Sequence, residues 1–146
     1  MSNDGTCDRR RLATICLLSS ECNVCFNVAR ERNGYFHFDI EVEFTSLGAS
    51  IPPVRRCAMS SNDVQRLVTE LSTALAAQAR DDTPTNGFRE FCAYDAFFAL
   101  QLFHDSSEVR VMLDYRPHHR CRVGVELRVQ DEDLAAFRDG WAALIE

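Results

Sequence analysis

The sequence predicts an α+β fold: one curved antiparallel sheet of about six or seven strands with two helices on one face. Three observations predict it. Apolar and polar residues alternate with period two over Tyr35–Phe44 and over both arms of a hairpin between Glu108 and Val129. Two other stretches switch to helical spacing: Val64, Leu67, Val68, Leu71 and Leu75, then Leu134, Phe137, Trp141, Leu144 and Ile145. Each helical stretch follows a run of strands, giving the order β-β-β-β-α-β-β-β-α, the pattern of helices segregated to one face of an antiparallel sheet.

Taken in order, residues 1–11 are polar and predicted to fray; the Arg9-Arg10-Arg11 run is short and reads as a solvated leader. Leu12–Leu18 and Val24–Arg30 are strands around the turn Ser19-Ser20-Glu21. Asn33-Gly34 marks a tight hairpin turn, because both residues tolerate positive φ. Tyr35–Phe44 is the cleanest strand. Phe36, Phe38, Ile40, Val42 and Phe44 point one way, and Tyr35, His37, Asp39, Glu41 and Glu43 the other. A one-residue slip would bury three carboxylates, so its register is firm. Gly48 and Pro52-Pro53 form a loop, and Val54–Met59 a short strand. Ser60-Ser61-Asn62-Asp63 opens a helix, with Asn62 and Gln65 at capping-box spacing. Ala74–Ala79 continues it, and Asp81–Gly87, with Pro84 and Asn86-Gly87, ends it. Phe88–Cys92 is ambiguous. Phe97–Phe103 is a strand, His104–Ser107 a turn, and Pro117-His118-His119 the turn of the last hairpin. Asp131 caps the final helix, with Glu132 and Asp133 suiting the positive end of its dipole. A two-fold plan, strands then helix twice over, is compatible with this order.

A chain of 146 residues fits one domain, 1–146, and can bury about two-thirds of its unfolded surface without a metal or disulfide. The net charge of −6 argues against sequence-independent nucleic-acid binding, which rests on cations neutralising phosphates, and permits a basic partner. No apolar run approaches the ~20 residues of a membrane span, and the polar start does not read as a signal peptide. The seven cysteines are therefore expected to be reduced and the protein cytoplasmic. Cys16, Cys25, Cys57, Cys92 and Cys121 lie in or beside apolar strands, where Cys acts as a small hydrophobe.

Catalytic and metal chemistry finds little to work with. Cys22-Asn23-Val24-Cys25 lacks the second pair that zinc needs and opens a strand rather than the helix start of a redox motif. His118 and His119 are adjacent, and adjacent strand residues face opposite sides, so they do not converge on a metal with Cys121 or His104. A Cys25–His37 nucleophile has no oxyanion device beside it. No phosphate-binding glycine loop is present. No enzyme activity, metal or cofactor is expected. What remains is Tyr35, His37, Asp39, Glu41 and Glu43, one face of one strand. Its bland reading is a solvated sheet face. Its functional reading is an acidic docking surface, with Tyr35 and His37 adding contact area and opposed charge selecting the partner.

From Tyr35 to the end, about three-quarters of the chain, the pattern resembles the small bacterial immunity proteins of the WapI type. The matching parts are the helix start SSNDVQRLVTEL, then FCAYDAFFALQLF, then HDSSEVRVMLDYR, and last the strand that passes through an acidic cap into a terminal helix, CRVGVELRVQDEDLAAFRDGWAALI. Ser106-Ser107 stands where the group usually has a glycine, and the cysteine content is unusual. The resemblance implies a cytosolic protein that binds and neutralises a cognate secreted toxin domain. The expected partner is a protein, a basic toxin domain, with no nucleic acid and no membrane, and the chain is expected to be a monomer or weak dimer. It assigns no contact residue. Alternatives are a binding protein like the type III secretion chaperones, which usually begin with a helix, or an α+β domain with no toxin partner.

Overall fold

The computed structural model describes residues 11–29, 31–80, 87–93, 96–103, 108–115 and 121–146. The leader, the turns at His104–Ser107 and Pro117-His118-His119, and most of the 81–87 break lie outside them. The fold class is α+β, as expected, but there are two antiparallel four-stranded sheets rather than one. The first is the meander β1 (Arg11–Leu18), β2 (Cys22–Ala29), β3 (Tyr35–Phe44) and β4 (Ala49–Ser60), and helix α1 (Ser61–Arg80) follows. The second is β5 (Phe88–Cys92), β6 (Phe98–Phe103), β7 (Glu108–Tyr115) and β8 (Cys121–Arg128), followed by α2 (Asp131–Ala142) and a final 3-10 turn, Ala143–Ile145. The chain thus runs through four strands and a helix twice. The ambiguous Phe88–Cys92 supplies the missing strand: Phe91 is buried and pairs with Leu100 of β6.

Local rules account for most element ends. Arg32 and Tyr35 exchange both backbone hydrogen bonds, at 2.8 and 3.0 Å. Asn33 and Gly34 between them both have positive φ, 56° and 81°, a two-residue turn whose twist matches its strands. Pro52-Pro53 is not a loop. Both prolines lie inside β4, an edge strand, where the register with β3 slips by one residue twice. The capping box also sits elsewhere than Asn62–Gln65. The Asp63 amide donates to Ser60 Oγ at 3.1 Å, and the Ser60 amide donates back to Asp63 Oδ2 at 3.4 Å. At α2, Asp131 is the first helical residue and not the cap; Gln130 precedes it, and its carbonyl accepts from Asp133 and Leu134.

The helices cross over between the sheets. α1 leaves the first sheet and meets β5 of the second, where Arg89 pairs with Glu70 at 3.0 Å. α2 leaves the second sheet and packs on β1 of the first. Gly140 makes that approach possible, since an added Cβ would lie 3.0 Å from Ile15 Cγ2. The inner faces of both sheets feed one core. Phe26 of β2 touches Phe98 of β6 with ring centroids 5.1 Å apart, and Phe137 and Trp141 of α2 at 5.5 and 5.6 Å. Every buried side chain among the described residues is apolar. Two bulges and two prolines make β4 a poor edge for further strands. Tyr115, at the end of β7, instead meets β4 by donating its hydroxyl to the Pro52 carbonyl at 2.6 Å.

Candidate functional site

β3 alternates as its sequence demands. Phe36, Phe38, Ile40 and Val42 are buried, while Tyr35, His37, Glu41 and Glu43 are exposed and Asp39 is half-buried. The five side chains therefore share the outer face of the first sheet. What surrounds them depends on which residues β2 and β4 bring alongside.

At the Asp39 end the charge is largely answered. The first bulge sets Arg55 and Arg56 against Asp39. Arg55 Nη1 lies 3.7 Å from Asp39 Oδ2, and the Arg56 amide, at a residue with φ of 64°, donates to Asp39 Oδ1 at 3.2 Å. Asn27, Ala29, His37, Asp39, Arg56 and Ala58 line an open depression of about 580 Å³ here, with Phe97 contributing from just before β6. The other end differs. Glu41 accepts from Asn27 Nδ2 at 2.7 Å, and Asn27 Oδ1 accepts from Thr14 Oγ1 at 3.3 Å, a neutral relay across three strands. Among the described residues neither Glu41 nor Glu43 has a cationic partner. The row of three carboxylates read from the sequence is thus, electrostatically, a pair at one end and a compensated aspartate at the other.

The cysteines need correction. Cys16 and Cys25 are not reduced thiols; they face each other across β1 and β2, Cα atoms 4.1 Å apart, and are joined in a disulfide on this same outer face. Cys25 is also registered with Glu41 on β3. Cys22 points the opposite way, into the core, so the C-x-x-C pair is split between the two faces of β2. Burial pushes the Cys22 thiol up, and pushes Cys57 up much further with help from the Asp39 charge, so neither is a ready nucleophile. Cys92 and Cys121 are exposed rather than packed as small hydrophobes. Among the described residues no three His, Cys, Asp or Glu side chains gather to hold a metal ion. His104, His118 and His119 lie outside the described residues.

Sequence reading did not anticipate Arg55, Asn27, Thr14 or the disulfide on this face. One signal was available. A two-residue turn at Ser20-Glu21, closed by the Ser19 amide donating to Cys22 O at 3.1 Å, sets Cys16 directly opposite Cys25. A turn taken as Ser19-Ser20-Glu21 hides that opposition. No helix among the described residues is long and apolar enough to cross a membrane. Neither a known family model nor a curated protein matches the sequence.

Proposed function

We propose that the chain is an immunity protein that binds a cognate secreted toxin domain through the outer face of its first sheet and so neutralises it. The observation that carries this reading is the exposed Glu41–Glu43 pair, with no cation beside it among the described residues, on a sheet face that also offers Tyr35, His37 and a depression for a side chain of the partner. A toxin acting on nucleic acid must itself be basic to hold phosphates, and an acidic mask would compete for that surface. Complementary charge speeds the encounter and rejects wrong partners, while the polar rim of Asn27 and Thr14 holds Glu41 in place. The resemblance of the region from Tyr35 onward to WapI-type immunity proteins supports the same reading.

The test is recovery of a tagged chain from its native cell at low salt, with the accompanying protein identified by mass. A stoichiometric toxin domain, whose binding and whose neutralisation are both lost in Glu41→Lys/Glu43→Lys, supports the proposal. These two side chains are exposed, so the double variant should fold with unchanged stability. Binding that survives the reversal removes this face from the proposal. A secreted effector in place of a toxin favours the chaperone class instead.

A further inference from the structure

Two open sheets have four edge strands, and three of them are protected. β4 carries Pro52, Pro53 and two bulges. β1 breaks register between Arg11 and Ala13 and packs against α2. β5 is five residues long and lies on α1, whose Arg66 donates to the Cys92 carbonyl at 3.2 Å. β8 has none of these defences. It runs eight residues without proline, in unbroken register with β7 from Cys121 to Arg128. Among the described residues no strand pairs with its other side.

We propose that β8 is a self-association edge: two copies of the chain pair antiparallel through β8, about a two-fold axis at Gly124, and make one continuous eight-stranded sheet. The charges on the strand point to a second copy as the occupant and select the register. Opposed residues must share a face, so the pairing centres on a residue rather than between two. Centred on Gly124, it sets Arg122 opposite Glu126 of the second copy, and Glu126 opposite its Arg122. Centred on Val125 it would oppose Arg122 to Arg128, and centred on Glu126 it would oppose Glu126 to itself; centred on Val123 it forms no charge pair among the described residues.

The Gly124 register also extends a pattern already in the sheet. Within one copy β7 sets Asp114 beside Arg122, and sets Arg110 beside Glu126 with a 2.9 Å ion pair. Across the dimer these become a ladder of alternating sign: Asp114, Arg122, then Glu126 and Arg110 of the second copy. On the inner face, half-buried Val123 meets Val125 of the second copy, and exposed Cys121 meets its Leu127, so apolar edge surface is covered. Backbone pairing supplies affinity and the charge ladder supplies register, as in other strand-addition interfaces. This edge lies on the second sheet, so the inference stands or falls independently of the toxin reading.

The experiment is sedimentation equilibrium over a concentration series. The wild-type chain is expected to form a dimer. Arg122→Glu and Glu126→Arg each turn both symmetric pairs into like charges, and each is expected to weaken the dimer by about tenfold or more. An equimolar mixture of the two variants restores opposite charges at both positions, so dimer should return; a folding defect would not be repaired by mixing. A wild-type monomer at every concentration, a dimer indifferent to both swaps, or no rescue on mixing overturns the proposal. Should Glu126→Arg fail to fold without its Arg110 pairing, Gly124→Cys reads the register directly. Its Cβ meets only flexible side-chain atoms, nearest Met112 Sδ at 3.1 Å, and oxidation should link residue 124 to residue 124. A cross-link at another position, or none, overturns the register.

Discussion

Trp141 gives the sharpest test of how this core is held. It is fully buried, with ring centroids 5.6 Å from Phe26, 5.6 Å from Phe38 and 6.4 Å from Phe137. Its indole N–H has no hydrogen-bond partner among the described residues. Two opposed quantities follow. Truncation to alanine removes the ring that joins α2 to β2 and β3, which costs about 3–5 kcal/mol, a large share of the ~5–15 kcal/mol that holds a typical domain. Replacement by phenylalanine loses only the outer part of the indole, about 1–2 kcal/mol of transfer and cavity terms. It also removes a buried donor whose lost hydration costs about 1–3 kcal/mol, so the two effects nearly cancel. Trp141→Phe is therefore expected within about 1 kcal/mol of wild type, and Trp141→Ala well below both. Urea unfolding followed by far-UV circular dichroism measures this, since the chain has one tryptophan and the variants lose that fluorescence. A Trp141→Phe variant as unstable as Trp141→Ala would refute the reasoning and show that the indole N–H is satisfied.

Two further outcomes are expected. The Cys16–Cys25 bridge closes a loop of sequence separation 9, worth about 2.5 kcal/mol by loop-closure entropy, so a thiol reductant should lower stability by up to that amount; Cys16→Ser/Cys25→Ser should show the same loss and no response to reductant, and an unreduced native protein in which both thiols alkylate would contradict the bridge. For Asp63, burial alone would raise the carboxyl, but hydrogen bonds from Arg66 and Ser60, with the Arg66 charge, outweigh it and hold it below the usual range. A depressed folded value means the stabilisation is present above the ordinary aspartate value of about 3.9 and is lost as pH falls through the folded value. Asp63→Asn should thus cost about 1 kcal/mol near neutrality, with the gap closing in acid; a gap that persists unchanged at low pH would show that charge is not involved.

Much of the fold was legible because it depends on short-range rules. Period-two alternation located β3 to the residue and both arms of the last hairpin almost to the residue, since a half-buried strand has no other way to arrange its side chains. The Asn33-Gly34 turn was legible because few residue pairs accept two positive φ values. Phe88–Cys92 was not, because a five-residue strand has too few alternations to be told from a loop. The capping box moved from Asn62 to Ser60 because several small polar residues in a row all qualify, and only the packing of Val64 and Leu67 chooses among them. The candidate face was half legible: which way Tyr35, His37, Asp39, Glu41 and Glu43 point is a property of one strand, but what lies beside them is not.

The sequence by itself determined the fold class, both helices and the faces of the longer alternating strands, because periodicity and turn chemistry act over a few residues. Tertiary structure alone decided that there are two sheets and that each helix crosses to the sheet it did not come from. It alone decided that Arg55 and Arg56 answer Asp39 while, among the described residues, no cation answers Glu41 or Glu43, and that Cys25 bonds to Cys16 and not to its motif neighbour Cys22. The physical reason is register. Which residues meet across two strands depends on turn lengths and bulges, and one residue gained or lost there changes every neighbour downstream.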